Sequence, residues 1–388
     1  MRILTLTGYY LPGYKAGGPI RTLANLVEWL GDDFQIAIVT SDRDLGDKQP
    51  YPNVRSGDWH SVGKAQVLYL PPQAFRLLAW RQVLRNLDYD LLYLNSFFSP
   101  LTVKTLFLLR IGQISKRPIV LAPRGELSRG ALSLKHFKKQ LYIHMAKSLG
   151  LYKNITWQVS SQYEMQEILS IFGGTVNSKT SFVCIAPNLP PRVTCKTVLQ
   201  RPLKQKGAAK IVFLSRIARK KNLDLALKLL ENIAGQVQFD IYGPKEDPLY
   251  WEECQAIIGQ LSENIQVHYR DAIPPDQVGE VFSQYHVFLF PTRGENFGHV
   301  ILEALCGGCL VLISDQTPWR NLAAEKVGWD IPLSDPEGFG AALKEIVFMS
   351  EADFRERSQL AQEYGKRFSE NPAPVEANRE LFLKALAS

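Results

Sequence analysis

Val287-Phe-Leu-Phe-Pro-Thr-Arg-Gly-Glu-Asn-Phe-Gly-His-Val-Ile-Leu-Glu303 runs from a short apolar segment into a helical one through a turn holding two glycines. Val287–Phe290 has the length and composition of a buried strand, and Gly298–Cys306 the spacing of a helix. A helix that opens just after a strand presents its first backbone N–H groups to an anion at the strand's carboxyl end. Gly298 lets a phosphate approach closely. With Glu295 before the helix and Glu303 inside it, the stretch reads as a diphosphate cradle with a carboxylate at each end. The bland alternative is a capped amphipathic helix with two solvated acids.

Outward from this stretch, β-rich runs alternate with helical ones, the pattern of parallel sheets. Strands are expected at 210–214, 237–241, 265–268, 287–290 and 310–313, with helices at 223–233, 250–261, 298–306 and 339–349. An earlier series has strands at 3–7, 35–40, 66–70, 91–95, 119–122, 156–159 and 181–185, with helices at 20–30 and 134–149. Residues 189–207 break the alternation with three prolines and five Lys/Arg, and read as a linker. The expected organisation is α/β, with two Rossmann-like domains facing each other across a cleft: 1–188, a linker 189–207, and 208–370. Residues 371–388 form a last amphipathic helix that could cross back to the first domain. A chain of 388 residues suits two such cores. Neither series has a GxGxxG after its first strand, which argues against a nicotinamide cofactor.

Composition narrows the class further. Hydrophobic residues make up 46% and charged residues 21%, the balance of a globular protein. No apolar run reaches the roughly 18 residues of a membrane span, and the first strand is too short for a signal peptide; the reading is a cytoplasmic protein. Cys184, Cys195, Cys254, Cys306 and Cys309 are scattered, so no disulfide is expected, and the lone Cys306-Gly-Gly-Cys309 reads as small residues in close packing. Between Leu101 and Lys153 eleven Lys/Arg (104, 110, 116, 117, 124, 129, 135, 138, 139, 147, 153) face one acid, Glu126. That excess exceeds the net +7 of the whole chain, so the remainder is slightly acidic. A basic, partly apolar surface fits an anionic membrane, at its inner face, or a phosphorylated acceptor; a solvated face without a partner is the alternative. No nucleic-acid motif accompanies the charge.

Four further segments carry candidate chemistry. Ser215-Arg216-Ile-Ala-Arg-Lys-Lys221-Asn222 follows a strand and offers cations, with Lys220 a rival to Lys221. Tyr14-Lys-Ala-Gly17-Gly18-Pro19 places paired glycines before a helix, again a turn tolerant of anions. Leu121-Ala-Pro-Arg124-Gly125-Glu126 and Asn95 lie at strand ends in the first series. Asn188 follows Ile185-Ala-Pro and reads as structural. Asp42-Arg-Asp44 and Asp88-Tyr-Asp90 match a bare DxD; without supporting context, and with cations at hand, no metal is expected. Glu295 and Glu303 are eight residues apart, about 12 Å along a helix. A retaining hydrolytic carboxylate pair sits about 5 Å apart, so the two suit opposite ends of an extended ligand instead.

The stretch Phe290–Trp319 resembles the E-x7-E region of the group 1 (GT4) retaining glycosyltransferases of the two-domain GT-B kind. The likeness extends through Ser215–Asn222, where Ser215 and Asn222 replace the family's glycines. It implies that Glu303 binds ribose hydroxyls, Glu295 contacts the donor sugar, and the amides of Phe297 and Gly298 hold the diphosphate. Arg216 and Lys221 would neutralise the departing diphosphate, and the Gly17–Gly18 loop would close over the donor phosphate. Arg124 stands where many relatives have a histidine near the reacting carbon. The implied activity is transfer of a hexose-type sugar from a nucleotide diphosphate sugar, UDP favoured over GDP, to a saccharide or lipid-linked acceptor, in cell-envelope polysaccharide or glycolipid assembly. The donor is a substrate, and no cofactor is implied. The donor base and ribose would lie near Arg270–Ile273 and Glu303. Alternatives are a nucleotide-sugar epimerase of the same architecture and a non-catalytic nucleotide-binding protein.

Overall fold

The structure, a computed structural model, describes residues 1–133, 136–176, 182–192 and 201–387. Part of the expected linker (193–200, with Cys195) and Lys135 lie outside the described residues. The chain divides into two compact units, Met1–Arg192 together with Pro372–Ser388, and Val193–Asn371.

The first unit is built on strands β1 (Arg2–Leu6), β2 (Gln35–Ser41), β3 (Trp59–Val62), β4 (Ala65–Leu70), β5 (Leu91–Asn95), β6 (Ile119–Ala122), β7 (Thr156–Val159) and β8 (Val183–Ile185). Its helices are α1 (Gly18–Leu30), α2 (Leu77–Arg85), α3 (Pro100–Arg110), α4 (Arg129–Ser133), α5 (His136–Ser148) and α6 (Gln162–Val176). The sheet order is β3-β4-β2-β1-β5-β6-β7-β8, with β1 parallel to both β2 and β5. Alternate residues of each strand serve opposite faces: Leu4 and Leu6 pack with α2, α3 and α6, while Ile3 packs with α1. Both faces are therefore apolar, as a parallel sheet wrapped by helices requires. The antiparallel β3 is absent from the sequence reading. It is short, carries no fully buried residue and joins β4 through a two-residue turn in which Gly63 has φ +57°, so its hydrophobic signal is weak.

The second unit has β9 (Ala208–Leu214), β10 (Gln236–Tyr242), β11 (Ile265–Tyr269), β12 (Val287–Phe290), β13 (Leu310–Ser314) and β14 (Gly328–Ile331). These are interleaved with α7 (Leu223–Lys228), α8 (Pro248–Ile258), α9 (Val278–Phe282), α10 (His299–Cys306), α11 (Pro336–Phe348) and α12 (Glu351–Ser369). The strand order β11-β10-β9-β12-β13-β14 is wholly parallel. Helix α12 was not expected, because its exposed faces are strongly polar. It is stopped at its start by Ser350, whose hydroxyl accepts the Asp353 amide at 3.1 Å, and it buries mainly small residues, including Ala361 and Gly365. A Cβ on Gly365 would lie 2.9 Å from the Cys306 amide, so α12 lies close against α10. Cys184, Cys254 and Cys309 are free.

The last helix, α13 (Ala373–Ala387), belongs to the first unit. Leu381 and Phe382 are fully buried, and Phe382 meets Phe34 and Tyr93 edge-on at 5.7 and 5.2 Å. Arg379 anchors the helix through Asp33 at 2.8 Å. Phe382→Ala should lower the stability of the first unit by about 3–5 kcal/mol, read as an earlier urea midpoint for its transition; a midpoint equal to wild type would mean that α13 does not complete this core.

Candidate active site

In the second unit the chain moves outward from β9 to β10 and β11, then returns to the other side of β9 for β12 and continues outward to β14. Right-handed crossovers in these opposite directions place their helices on opposite faces. The loops after β9 and β12 consequently leave adjacent strands and diverge, and such a switch point is where open α/β sheets bind ligands. The two loops are Ser215–Asn222 and Pro291–Gly298, the segments singled out in the sequence.

Their side chains interlock. The Lys221 ammonium donates to Glu295 Oε1, with only 13% and 15% of the two side chains exposed, and lies 5.4 Å over the Phe290 ring. Lys220, its rival, is exposed; its carbonyl instead accepts the Arg293 amide at 2.9 Å. Asn222 replaces a family glycine in a left-handed conformation, φ +63°, which asparagine tolerates better than most residues. Its amide donates to the Pro291 carbonyl and its Oδ1 accepts from Arg293 Nε, both at 2.9 Å. The substitution thus ties the two loops together.

Gly298 caps α10 at φ +80°, and the helix proper begins at His299, one residue later than expected. The Gly298 carbonyl accepts from Ile301 at 2.8 Å, whereas the amides of Phe297 and Gly298 reach no carbonyl among the described residues. The helix start is more enclosed than the sequence reading supposed. Phe297, Gly298 and His299 are buried, and Glu295, Asn296 and Val300 are half-buried. Trp319 closes the turn, its indole N–H donating to the Phe297 carbonyl at 2.6 Å. Glu303 is half-buried on α10.

The remaining candidates of this unit lie apart from that pair. Arg216 donates to Glu246 Oε2 at 2.5 Å. Arg270 turns back to Asp240 at 3.3 Å. Burial pushes the Asp240 carboxyl up, but hydrogen bonds from Tyr285, Gln238 and His268, with the Arg270 charge, hold it below the usual carboxylate range.

In the first unit Arg124, after β6 in a left-handed conformation (φ +59°), is tied down by its neighbours. It donates to Asn95 Oδ1 at 2.7 Å, to the Tyr93 hydroxyl at 2.6 Å, and to Asn188 Oδ1. Tyr93 donates onward to Gln158 at 2.5 Å, and Gln158 to Asn378 of α13 at 2.9 Å. Sequence reasoning did not find Tyr93, Gln158 or Asn378, whose partners lie up to 220 positions away. Glu126 is turned to Ser96 and the Phe98 amide rather than to Arg124. Gly17 (φ +70°) caps α1, and an added Cβ on the exposed Gly18 would meet nothing within 4 Å. Three of the four DxD aspartates are engaged: Asp44 accepts the amides of Tyr14, Lys15 and Leu45, Asp42 accepts from Ser56, and Asp90 from the Arg2 amide. Among the described residues no group of three or more His, Cys, Asp or Glu is placed to hold a metal.

Residues 196–367 match the sequence profile of glycosyl transferases group 1. The match falls within the second unit. Solved structures share the fold of the whole chain. A sucrose-phosphate synthase from Thermosynechococcus elongatus has a TM-score of 0.72 at 17% identity, over 100% of this chain and 99% of that one. The Anabaena HepE protein in complex with UDP-glucose has 0.66 at 16%, over 100% of each chain. WaaG, a glycosyltransferase involved in lipopolysaccharide biosynthesis, has 0.68 at 14%, over 97% of this chain and 98% of that one. No curated protein sequence matches. The architecture is that of GT-B glycosyltransferase structures.

Gly298 is held by conformation and by packing. A Cβ there would stand 2.8 Å from Ile301 Cδ1 and 3.3 Å from the Trp319 indole nitrogen. Gly298→Ala should cost at least about 1–2 kcal/mol from the left-handed backbone alone, read by urea unfolding. A variant as stable as wild type would show that the turn adopts another conformation.

Proposed function

We propose that the enzyme transfers a hexose-type sugar from a UDP-sugar to an acceptor hydroxyl with retention of anomeric configuration, in cell-envelope polysaccharide or glycolipid assembly. The observation that carries the reading is the Lys221–Glu295 pair at the divergence of β9 and β12, next to the amino end of α10. An anion entering there meets an ammonium already positioned, two backbone amides and the positive end of a helix. The uridine preference leans on HepE, whose structure holds UDP-glucose, and on a trehalose-6-phosphate synthase bound with UDP-2-fluoro glucose. The envelope setting leans on the basic first unit and on WaaG's part in lipopolysaccharide biosynthesis.

In the proposed chemistry the diphosphate lies on the amides of Phe297 and Gly298, and Glu303 accepts from the ribose hydroxyls. Lys221 shifts from Glu295 to the diphosphate, and Arg216 exchanges Glu246 for the same group. Glu295, released, accepts from a hydroxyl of the donor sugar. The acceptor oxygen bonds to the anomeric carbon on the face from which the phosphate departs. The carbon–phosphate oxygen bond breaks, and the acceptor proton passes to the leaving phosphate. The cations act where negative charge grows, which is where such contacts lower a barrier most. Arg124, saturated by Asn95, Tyr93 and Asn188, acts in this scheme by holding the ends of β5 and β6 in place.

Two variants test the assignment. Glu303→Ala should raise the dissociation constant for UDP by about tenfold or more, the loss expected of a charge-assisted hydrogen bond, in calorimetric titration. Lys221→Met should lower kcat by about 10²–10³ in an assay of UDP release, with a smaller change in UDP affinity. Wild-type affinity in the first and wild-type kcat in the second would refute the roles given to these residues. A thermal-shift series over UDP, GDP, ADP and dTDP tests the base separately, since mass action stabilises the fold only with a true ligand.

A further inference from the structure

Helix α5 has apolar side chains on two faces. Ile143 and Ala146 enter the core of the first unit, and that face anchors the helix. Phe137, Leu141 and Met145 follow one another at four-residue intervals on another face, and Leu149 extends the row beyond the helix end. They are 79, 53, 55 and 60% exposed. Side chains four apart stack into one stripe, so these are a contiguous row, not the scattered apolar residues of any protein surface. On the neighbouring α3, Phe107 and the following Ile111 are also exposed. They stand at the end where Arg110 reaches the Leu151 carbonyl at 3.2 Å.

The 101–153 segment that holds the row carries charge of almost one sign. The only acid among the eleven Lys/Arg of 101–153 is Glu126, and its carboxylate points inward to Ser96 Oγ at 2.7 Å and the Phe98 amide at 2.9 Å. Lys138 and Lys147 are exposed on α5, but the Lys147 ammonium lies 5.4 Å over the Phe172 ring of the core. Lys139, in contrast, donates to the Ala131 carbonyl at 2.6 Å and lies over the Phe98 ring, so it belongs to the helix's anchorage. A second copy of the chain would bring like charge against like charge. The thirteen residues of α5 reach about 20 Å, and no helix among the described residues is long and apolar enough to cross a membrane.

We propose that α5 lies in the plane of an anionic bilayer surface, with Phe137, Leu141, Met145 and Leu149 entering the headgroup–acyl boundary and Lys138 binding lipid phosphates. An apolar row beside an exposed lysine is the arrangement of an interfacial helix. The proposal is independent of the donor site in the second unit.

The test is sedimentation of the full chain with sucrose-loaded vesicles, of phosphatidylcholine alone or mixed with phosphatidylglycerol. Wild type should pellet with the mixed vesicles only, less so as salt rises. F137S/L141S/M145S should reduce the partition coefficient by about tenfold or more and Lys138→Glu by about fivefold or more. Both variants should keep the wild-type melting temperature and its shift with UDP, since they alter exposed side chains. Equal pelleting with both vesicle types, or a triple variant that pellets like wild type, would overturn the proposal. So would a wild-type dimer in size-exclusion chromatography that the triple variant converts to monomer, which would assign the row to self-association.

Discussion

The return of the chain past β9, from β11 to β12, is the constraint on which the donor-site geometry rests. Parallel strands demand crossovers of one hand, so reversing the direction of winding sends α7 and α10 to different faces and leaves two strand ends side by side with diverging loops. Only there can Lys221, on the loop after β9, meet Glu295, on the loop after β12. They are 74 residues apart, and neither loop could hold both. Asn222 and Trp319 then fix the loops, one through the Pro291 carbonyl and the other through that of Phe297.

The two units treat their conspicuous cations in opposite ways. Arg124 is surrounded by neutral acceptors, Asn95, Tyr93 and Asn188, in a network that continues through Gln158 to α13; every bond in it is made within the first unit. Lys221 is held chiefly by one carboxylate. Taking such a pair mostly out of water costs about as much as the attraction returns, so stability alone gives little reason for it. A pair that an arriving diphosphate can rearrange has a reason of another kind, since the cation is oriented before the ligand comes.

Much of this was legible in the sequence, for identifiable reasons. The buried parallel strands, such as Leu91–Asn95 and Val287–Phe290, are short apolar runs that need no partner to be recognised, and the Glu295–Glu303 stretch couples strand, glycine turn and helix within one window. What escaped depends on tertiary contact. Strand β3 exists because β4 pairs with it, and α12 because small residues such as Gly365 fit against Cys306. The Arg124 network joins residues from β5, β6, β7 and α13 that no local pattern connects. The choice of Lys221 over Lys220 turns on which side of a single turn faces Glu295. The enclosure of Gly298 depends on Trp319, twenty-one positions downstream and outside any helical period.

The most direct test is a crystal structure of the wild-type enzyme with UDP. The account predicts phosphate oxygens about 2.7–3.2 Å from the amides of Phe297 and Gly298, the Lys221 ammonium withdrawn from Glu295 onto the same phosphates, and the ribose hydroxyls on Glu303. A nucleotide bound away from the carboxyl ends of β9 and β12, or seated there with the Lys221–Glu295 pair intact and the α10 amides untouched, would contradict it.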